Sequence, residues 1–561
     1  MADVNDTNQQ SKLDELKRAE AEELAQVLSK KYALPYADLS TVSINTDALR
    51  LVPEEDARAA NMAAFKLVGK KVYILVISPN NKSVPVILDK LKRKEYVPEL
   101  YLGSMTSLER AWERYKEISY TMETRAGLID ISEDNITDTL ARVKNISDIK
   151  TLLAETIQGN KSRGISKILE VIVAGAVAVG ASDIHIEAQE KDVRLRFRLD
   201  GVLQDIASVE QAVNKLMLSR LKLISGMKLN IKAETQDGRF SINMGRKQLE
   251  VRSSIIPGPY GESIVMRLLD PDSIAVSLEE MGMEPRVLEV VGHEISRPSG
   301  MILLTGPTGS GKSTTLYAIL RKINNPGSKI ITIEDPIEYH LAGITQTQVD
   351  DGSGYTFLEG LRSALRQDPD IIMIGEIRDS ETAKVAINSA LTGHLVLSTL
   401  HTNSAAGAIP RLIDLGVNPK VIGSAVNLMM AQRLVRQLCQ SCKKETKPEN
   451  KEREIIDSAL ETLKKKGVEI KDLDPSRIWI AGAGCEDCNG IGYKGRIGIR
   501  EGIVMDKNVE PLIDTNPSER EIEKAALPQT IPNMREDGII KVLRGITSLE
   551  EVRKAVELEM V

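Results

Sequence analysis

Aromatic residues are scarce, at 3% of 561 residues with 2 Trp and 4 Phe. That is too few for the row of stacking platforms that holds single-stranded nucleic acid. A positive balance is also missing, since 74 basic residues against 80 acidic leave a formal charge of −6. DNA and RNA binders concentrate the opposite sign. Long apolar runs are absent. The best, Val171 to Ala181, falls well short of the roughly 20 residues that span a bilayer. The start, MADVNDTNQQ, is polar and lacks the apolar core of a secretory signal. These absences lead us to expect a cytoplasmic protein that does not bind nucleic acid. Cysteine numbers only 4, which excludes a disulfide scaffold.

What is present is apolar material for several cores, at 42% hydrophobic and 27% charged residues, in a length suited to three or four domains at about 150 residues each. Residues 1–121 read as an N-terminal module, with a charged helical start (Leu13, Leu16, Ala21, Leu24, Leu28), the strand Lys71 to Ile77 and a turn at Ser78 to Asn81. Residues 122–161 read as a linker. Residues 162–284 open with the apolar helix ending near Gly180. Strands Asp183 to Glu187 and Val193 to Arg198 follow, and period-two alternation sets Arg194, Arg196 and Arg198 on one face. From 285 to 561, short apolar strands (Met301 to Thr305, Lys329 to Ile333, Ile371 to Ile374, Leu395 to Thr399) alternate with helical stretches. That pattern predicts βα units around a largely parallel sheet.

Gly306-Pro307-Thr308-Gly309-Ser310-Gly311-Lys312-Ser313 fits G-x-x-x-x-G-K-[ST] in full and sits between a strand and a helix, the context the motif requires. The residues Gly306 to Thr314 are the candidate cradle for a nucleoside triphosphate. Glycines let the backbone wrap a phosphate, and the helix N-terminus adds its dipole. Lys312 would reach the β- and γ-phosphates and Ser313 would ligate Mg²⁺. Acidic groups follow two predicted strands: Glu376 after Ile371 to Gly375, and the cluster Glu334-Asp335-Pro336-Ile337-Glu338. Hydrolysis needs one base within reach of the water, and the residues alone leave the choice open.

Four blocks resemble the secretion ATPases of type II secretion and type IV pilus assembly (PilB/GspE-like). They are the phosphate loop, Thr332 to Tyr339 (similar to an Asp box), Leu361 to Asp379 (similar to a Walker B region) and Thr392 to Asn403 (similar to a His box). The likeness runs over 162–561 and more weakly over the N-terminal module. It implies an α/β fold: a RecA-like P-loop ATPase domain, a preceding PAS-like domain, an N-terminal α/β module and a small zinc-binding subdomain. It implies Glu338 as the water-activating carboxylate, Glu376 at the metal, and His394 and His401 as sensors of the nucleotide state. Candidate phosphate-stabilising arginines are Arg362 and Arg366, four apart on one helix face, and Arg196, Arg198 and Arg220 of the PAS-like domain. Ala181-Ser182-Asp183-Ile184-His185 and Asp200-Gly201-Val202-Leu203 match that domain. The segment before Gln236-Asp237-Gly238-Arg239 is shorter than the resemblance implies.

Cys439-Gln440-Ser441-Cys442 and Cys485-Glu486-Asp487-Cys488 are two C-x-x-C pairs that use every cysteine in the chain. Two such turns make a tetrahedral S₄ site for a structural Zn²⁺, in a segment spanning 433–500 with a helical stretch looped out at Pro448 to Lys466. The expectation is an ATP-hydrolysing homohexamer, peripheral to the inner membrane. It would drive pilin polymerisation through a platform protein there, with a cytoplasmic pilus-alignment protein as a further partner. The alternatives are a type II secretion ATPase, a pilus retraction ATPase, a nucleic-acid translocase, and an assembly factor that binds nucleotide without hydrolysing it. No Arg-Leu-Gly-type repeat occurs near Ser11 to Leu28, so protein docking rather than a cyclic-di-GMP site is expected of the N-terminal module.

Overall fold

The computed structural model describes residues 21–117 (except 40, 41, 43, 50, 69, 94 and 95), 139–158 (except 141), 164–270 (except 245 and 246), 276–468 and 473–558. The first part of the helical start, with Leu13 and Leu16, and residues 122–138 and 159–161 of the stretch read as a linker lie outside them. The chain divides into two compact units, Met1–Thr124 and Arg125–Val561.

In the first unit, residues 21–32 are helical. Strands β1 (Met62–Val68), β2 (Lys71–Val76) and β3 (Val97–Leu102) form one sheet, β1 antiparallel and β3 parallel to β2. The parallel pair needs a crossover, which the helix Ser83–Arg93 supplies with Val84, Ile87 and Leu91 buried. Trp112 closes the core and donates from Nε1 to the Met62 carbonyl at 3.1 Å.

The second unit holds two large sheets. The first is six-stranded, in the order β6-β5-β4-β9-β8-β7: β4 (Asp183–Ala188), β5 (Val193–Leu199), β6 (Val202–Val209), β7 (Gln236–Met244), β8 (Lys247–Ile256) and β9 (Ser263–Leu269). Along β5, Val193, Leu195, Phe197 and Leu199 are buried while the three arginines between them are half-buried. The predicted alternation is therefore present. The apolar helix Gly164–Ala178 covers this core and packs against a helix Ile146–Gln158, whose Ile149 and Leu153 are fully buried.

The second sheet is seven-stranded, in the order β12-β11-β13-β14-β10-β15-β18. Its members are β10 (Gly300–Thr305), β11 (Ile330–Glu334), β12 (Thr345–Gln348), β13 (Ile371–Ile374), β14 (Leu395–Leu400), β15 (Val426–Leu438) and β18 (Tyr493–Val504). Strands β10, β11, β13 and β14 are buried along their whole length and pair in parallel. Continuous apolar runs are what a sheet covered on both faces requires. The pair β15–β18 is antiparallel. Sequence patterning missed both strands, because each sets polar residues among its apolar ones, and two of these, Gln432 of β15 and Arg500 of β18, are buried. Between them lie the short pair β16 (Lys444–Thr446) and β17 (Ile478–Ile480) and the helix Asn450–Lys465. Among the described residues no helix is long and apolar enough to cross a membrane.

Candidate functional site

Parallel strands deliver their following loops to one edge of a sheet, and that edge carries the site. The loop after β10 is the glycine-rich turn. Gly306 (φ +142°) and Gly311 (φ +86°) occupy backbone that side chains avoid. A Cβ on Gly306 would stand 2.6 Å from the Gln432 carbonyl oxygen, and one on Gly311 would stand 2.7 Å from Gln432 Nε2. Pro307, Thr308 and Gly309 face solvent, and the helix Lys312–Ile323 starts directly behind them. Lys312 donates from Nζ to the carbonyls of Gly306 (2.7 Å) and Pro307 (3.0 Å). Burial pushes its ammonium below the ordinary lysine range, Glu376 opposes this and the charge of Arg433 adds to it. A backbone cradle with a partly desolvated ammonium at its rim is suited to bind phosphate.

The loops after β13 and β14 meet beside it. Glu376 follows β13, accepting from Arg378, and its Oε2 lies 3.0 Å from His401 Nε2 beyond β14. Burial alone would raise this carboxyl, but Arg378 and His401 hold it below its ordinary value. His394 precedes β14, so the two histidines stand at opposite ends of that strand, about 20 Å apart. His394 instead caps a turn, its Nδ1 3.0 Å from the Ser389 carbonyl.

The acidic cluster after β11 resolves into distinct environments. Glu334 is buried and receives Thr332 Oγ1 (2.6 Å), Gln346 Nε2 (3.0 Å) and the Tyr317 hydroxyl. Burial and that carboxylate hold the Tyr317 hydroxyl firmly protonated. The Glu338 amide donates to the Tyr317 oxygen at 3.3 Å, which fixes the loop. The Glu338 carboxylate points outward and meets Arg252 at 2.9 Å.

Arg252 is the functional candidate that the sequence reading missed. It lies on β8 of the six-stranded sheet, opposite Arg239 of β7 and Arg267 of β9. Its guanidinium crosses to the Asp-box loop and also donates to the Ile337 carbonyl. The cross-strand arginine row was the available signal, but it becomes visible only once β7, β8 and β9 are set in register. The arginines named from sequence lie elsewhere. Arg196 pairs with Glu187 at 2.5 Å and Arg198 with Asp183 at 3.3 Å, inside their own sheet. Arg220 is on the helix Gln211–Ile224. Arg362 binds Glu359 at 3.1 Å and Arg366 binds Ser363 Oγ at 3.1 Å, both on the exposed side of the helix Phe357–Leu365 and its cap.

The four cysteines converge. Their sulfurs all lie within 4.8 Å of one another, with Cys439–Cys485 at 3.6 Å, Cys442–Cys488 at 3.8 Å and Cys485–Cys488 at 3.7 Å. A tetrahedral zinc with Zn–S bonds of about 2.3 Å sets its sulfurs about 3.8 Å apart, so the donor set fits that ion. Amides of Cys485 and Gly492 donate to Cys488 Sγ, each at 3.2 Å. They bring its thiol down to about 6 against the effect of burial. Such outer-shell N–H donors suit a metal thiolate.

Comparison with known proteins places these features. Residues 158–554 match the family described as Type II/IV secretion system protein, and residues 32–120 match the MshEN domain. The chain is 37% identical over 536 residues to the type IV pilus assembly ATPase PilB of Myxococcus xanthus, covering 95% of this chain and 91% of that protein. It is 38% identical over 525 residues to the type II secretion system protein E of Dickeya dadantii, covering 93% and 100%. The Legionella pneumophila ATPase DotB shares the fold, with a TM-score of 0.50 at 22% identity over 71% of this chain and 97% of that one. By the match to more than half its length and by relatives aligned almost end to end, the chain belongs to the type II/IV secretion system protein family and is an ATPase of that family.

Proposed function

We propose that the chain is a homohexameric motor, working in the cytoplasm at the inner membrane, that spends ATP on type IV pilus assembly through a membrane platform protein. A cytoplasmic pilus-alignment protein is a further partner in this reading. The observation that carries the mechanism is the Arg252–Glu338 contact at 2.9 Å, which joins the six-stranded sheet to the edge bearing the phosphate loop. The triphosphate lies across Gly306 to Thr314, held by backbone amides and Lys312. Ser313 and Glu376 would hold a magnesium ion, which would supply charge neutralisation at the phosphoryl oxygens. Glu338 accepts the proton of the attacking water. Before it can do so it must leave Arg252, which frees that guanidinium for charge developing on the γ-phosphate. The exchange of partners ties chemistry to movement of one sheet against the other. His401, touching Glu376, reports the state of the metal side.

The zinc at the four cysteines is structural, since four thiolates leave no open position. The N-terminal module serves protein docking in this reading. Titration with cyclic-di-GMP is expected to give no heat, and saturable binding would overturn that part.

Type II secretion is the second reading, supported by the end-to-end likeness to a secretion protein E. Phosphate release by the wild type and by Glu338→Gln tests the motor. The variant should bind ATP yet hydrolyse it about 100-fold more slowly or worse, and equal rates would sink the proposed base. Deleting the gene separates the two machines: loss of surface pili supports assembly, and retention of exoproteins with pili intact supports secretion.

A further inference from the structure

The geometry points to Gln432 as a positioning residue that aims the phosphate-loop amides, an inference that rests on the loop being the nucleotide site. Gln432 lies on β15 beneath the loop and is 1% exposed. Its side chain makes three bonds. Nε2 donates to the Ser310 carbonyl at 2.7 Å, and Oε1 receives Thr315 Oγ1 and Arg500 Nε, each at 2.9 Å. Arginine can only donate, so the network decides which end of the amide faces the loop.

The consequence follows from peptide geometry. In a trans peptide the carbonyl and the next N–H point in opposite directions. With the Ser310 carbonyl held inward against Gln432, the Gly311 N–H points away from β15, toward the mouth of the loop. The Ser310 hydroxyl is buried with no hydrogen-bond partner, so the side chain of Ser310 does not anchor this peptide itself. Gln432 also leaves no room for a side chain on the turn: its backbone oxygen excludes a Cβ on Gly306 and its Nε2 excludes one on Gly311.

Gln432 is itself held. Arg500 on β18 is its cross-strand partner in register and is 2% exposed. Arg500 donates from Nη1 to the Met281 carbonyl at 3.1 Å, and its backbone amide donates to Asp537 Oδ2 at 2.7 Å. The pair β15–β18 thus presents a fixed amide to the loop, outside the motif that defines it.

Gln432→Glu tests the idea in the full-length protein. The carboxylate keeps an acceptor for Thr315 and Arg500 but sets an oxygen against the Ser310 carbonyl, so the peptide must rotate. Titration with a fluorescent ADP should show Kd raised about tenfold or more, with the KM for ATP rising in step. The nucleotide-free thermal midpoint should stay near wild type, a combination that a purely structural role would not produce. The double variant Gln432→Met with Arg500→Met removes the amide together with the guanidinium that holds it, so no buried guanidinium is left facing an apolar chain. It should weaken ADP binding to the same degree, and it decides alone if Gln432→Glu does not fold. Binding within twofold of wild type by a folded variant overturns the proposal. Lys312→Ala separates the two ideas: it should abolish binding, and binding by that variant would overturn the phosphate-loop assignment itself.

Discussion

Single charged side chains tie this molecule together where burial takes them out of water. Glu551 receives Arg436 Nη2 at 2.5 Å and Nε at 2.9 Å, with side-chain exposures of 14% for Arg436 and 8% for Glu551. The guanidinium also lies 4.1 Å from the centre of the Tyr493 ring. Burial would raise the Glu551 carboxyl, but Arg436 outweighs it and holds it below its ordinary value. The sign follows. A carboxylate depressed on folding stabilises above its unfolded pKa of about 4.3 and loses that contribution as pH falls toward the folded value. Glu551→Gln should therefore be less stable than wild type at neutral pH by about 3 kcal/mol. The two thermal midpoints should converge on acidification below about pH 4. A constant gap across that range would refute the assignment. At this scale the sequence supplied candidate chemistry but not partners. Read from the residues alone Glu334, Asp335 and Glu338 looked interchangeable; the resemblance singled out Glu338, and the structure buries Glu334.

At the scale of elements, the cysteine segment shows how much spacing can say. Two C-x-x-C pairs were enough to expect one S₄ site, because each pair makes its own tight turn. The glycines around it have steric reasons to be there: a Cβ on Gly482 would lie 1.9 Å from the Cys442 carbonyl oxygen. Gly482→Ala should therefore loosen the site and weaken zinc retention by roughly 10- to 100-fold, read as faster release to a colorimetric chelator. The wild type should carry one zinc per chain, and Cys488→Ser should carry none. The parallel strands β10, β11, β13 and β14 were equally readable, since continuous apolar runs between turn signals have few other readings. Strands β15 and β18 were not. Gln432, Arg433, Arg436, Arg496 and Arg500 make them look like solvated surface, yet Gln432 and Arg500 are fully buried. Their polar ends are satisfied by one another and by neighbouring loops, which a one-dimensional pattern cannot show.

For the whole molecule, the informative feature is an arginine from one sheet closing on a carboxylate in a loop at the edge of the other. Arg252→Ala should lower the ATP turnover number by about 100-fold or more while changing nucleotide affinity only a few-fold. Arg252→Lys should restore little, because a point charge cannot reproduce a planar fork that binds a carboxylate and a carbonyl together. Phosphate release under saturating ATP measures both variants. Unchanged turnover in Arg252→Ala would remove this residue from the mechanism. Arg196 and Arg198 alternate within one clear strand, but Glu187 and Asp183 of the adjacent strand already engage them.

The sequence by itself determined the glycine-rich turn, the pairing of the cysteines into one cluster, the parallel strands and the family, because each depends on local spacing: glycines where the backbone must turn, cysteines in pairs, apolar runs of strand length. Only the tertiary structure decided which charges meet. It set Arg252 against Glu338, His401 rather than His394 against Glu376, and Gln432 beneath the Ser310 carbonyl. Those pairings join residues far apart in the chain, through strand order and register that no local pattern encodes.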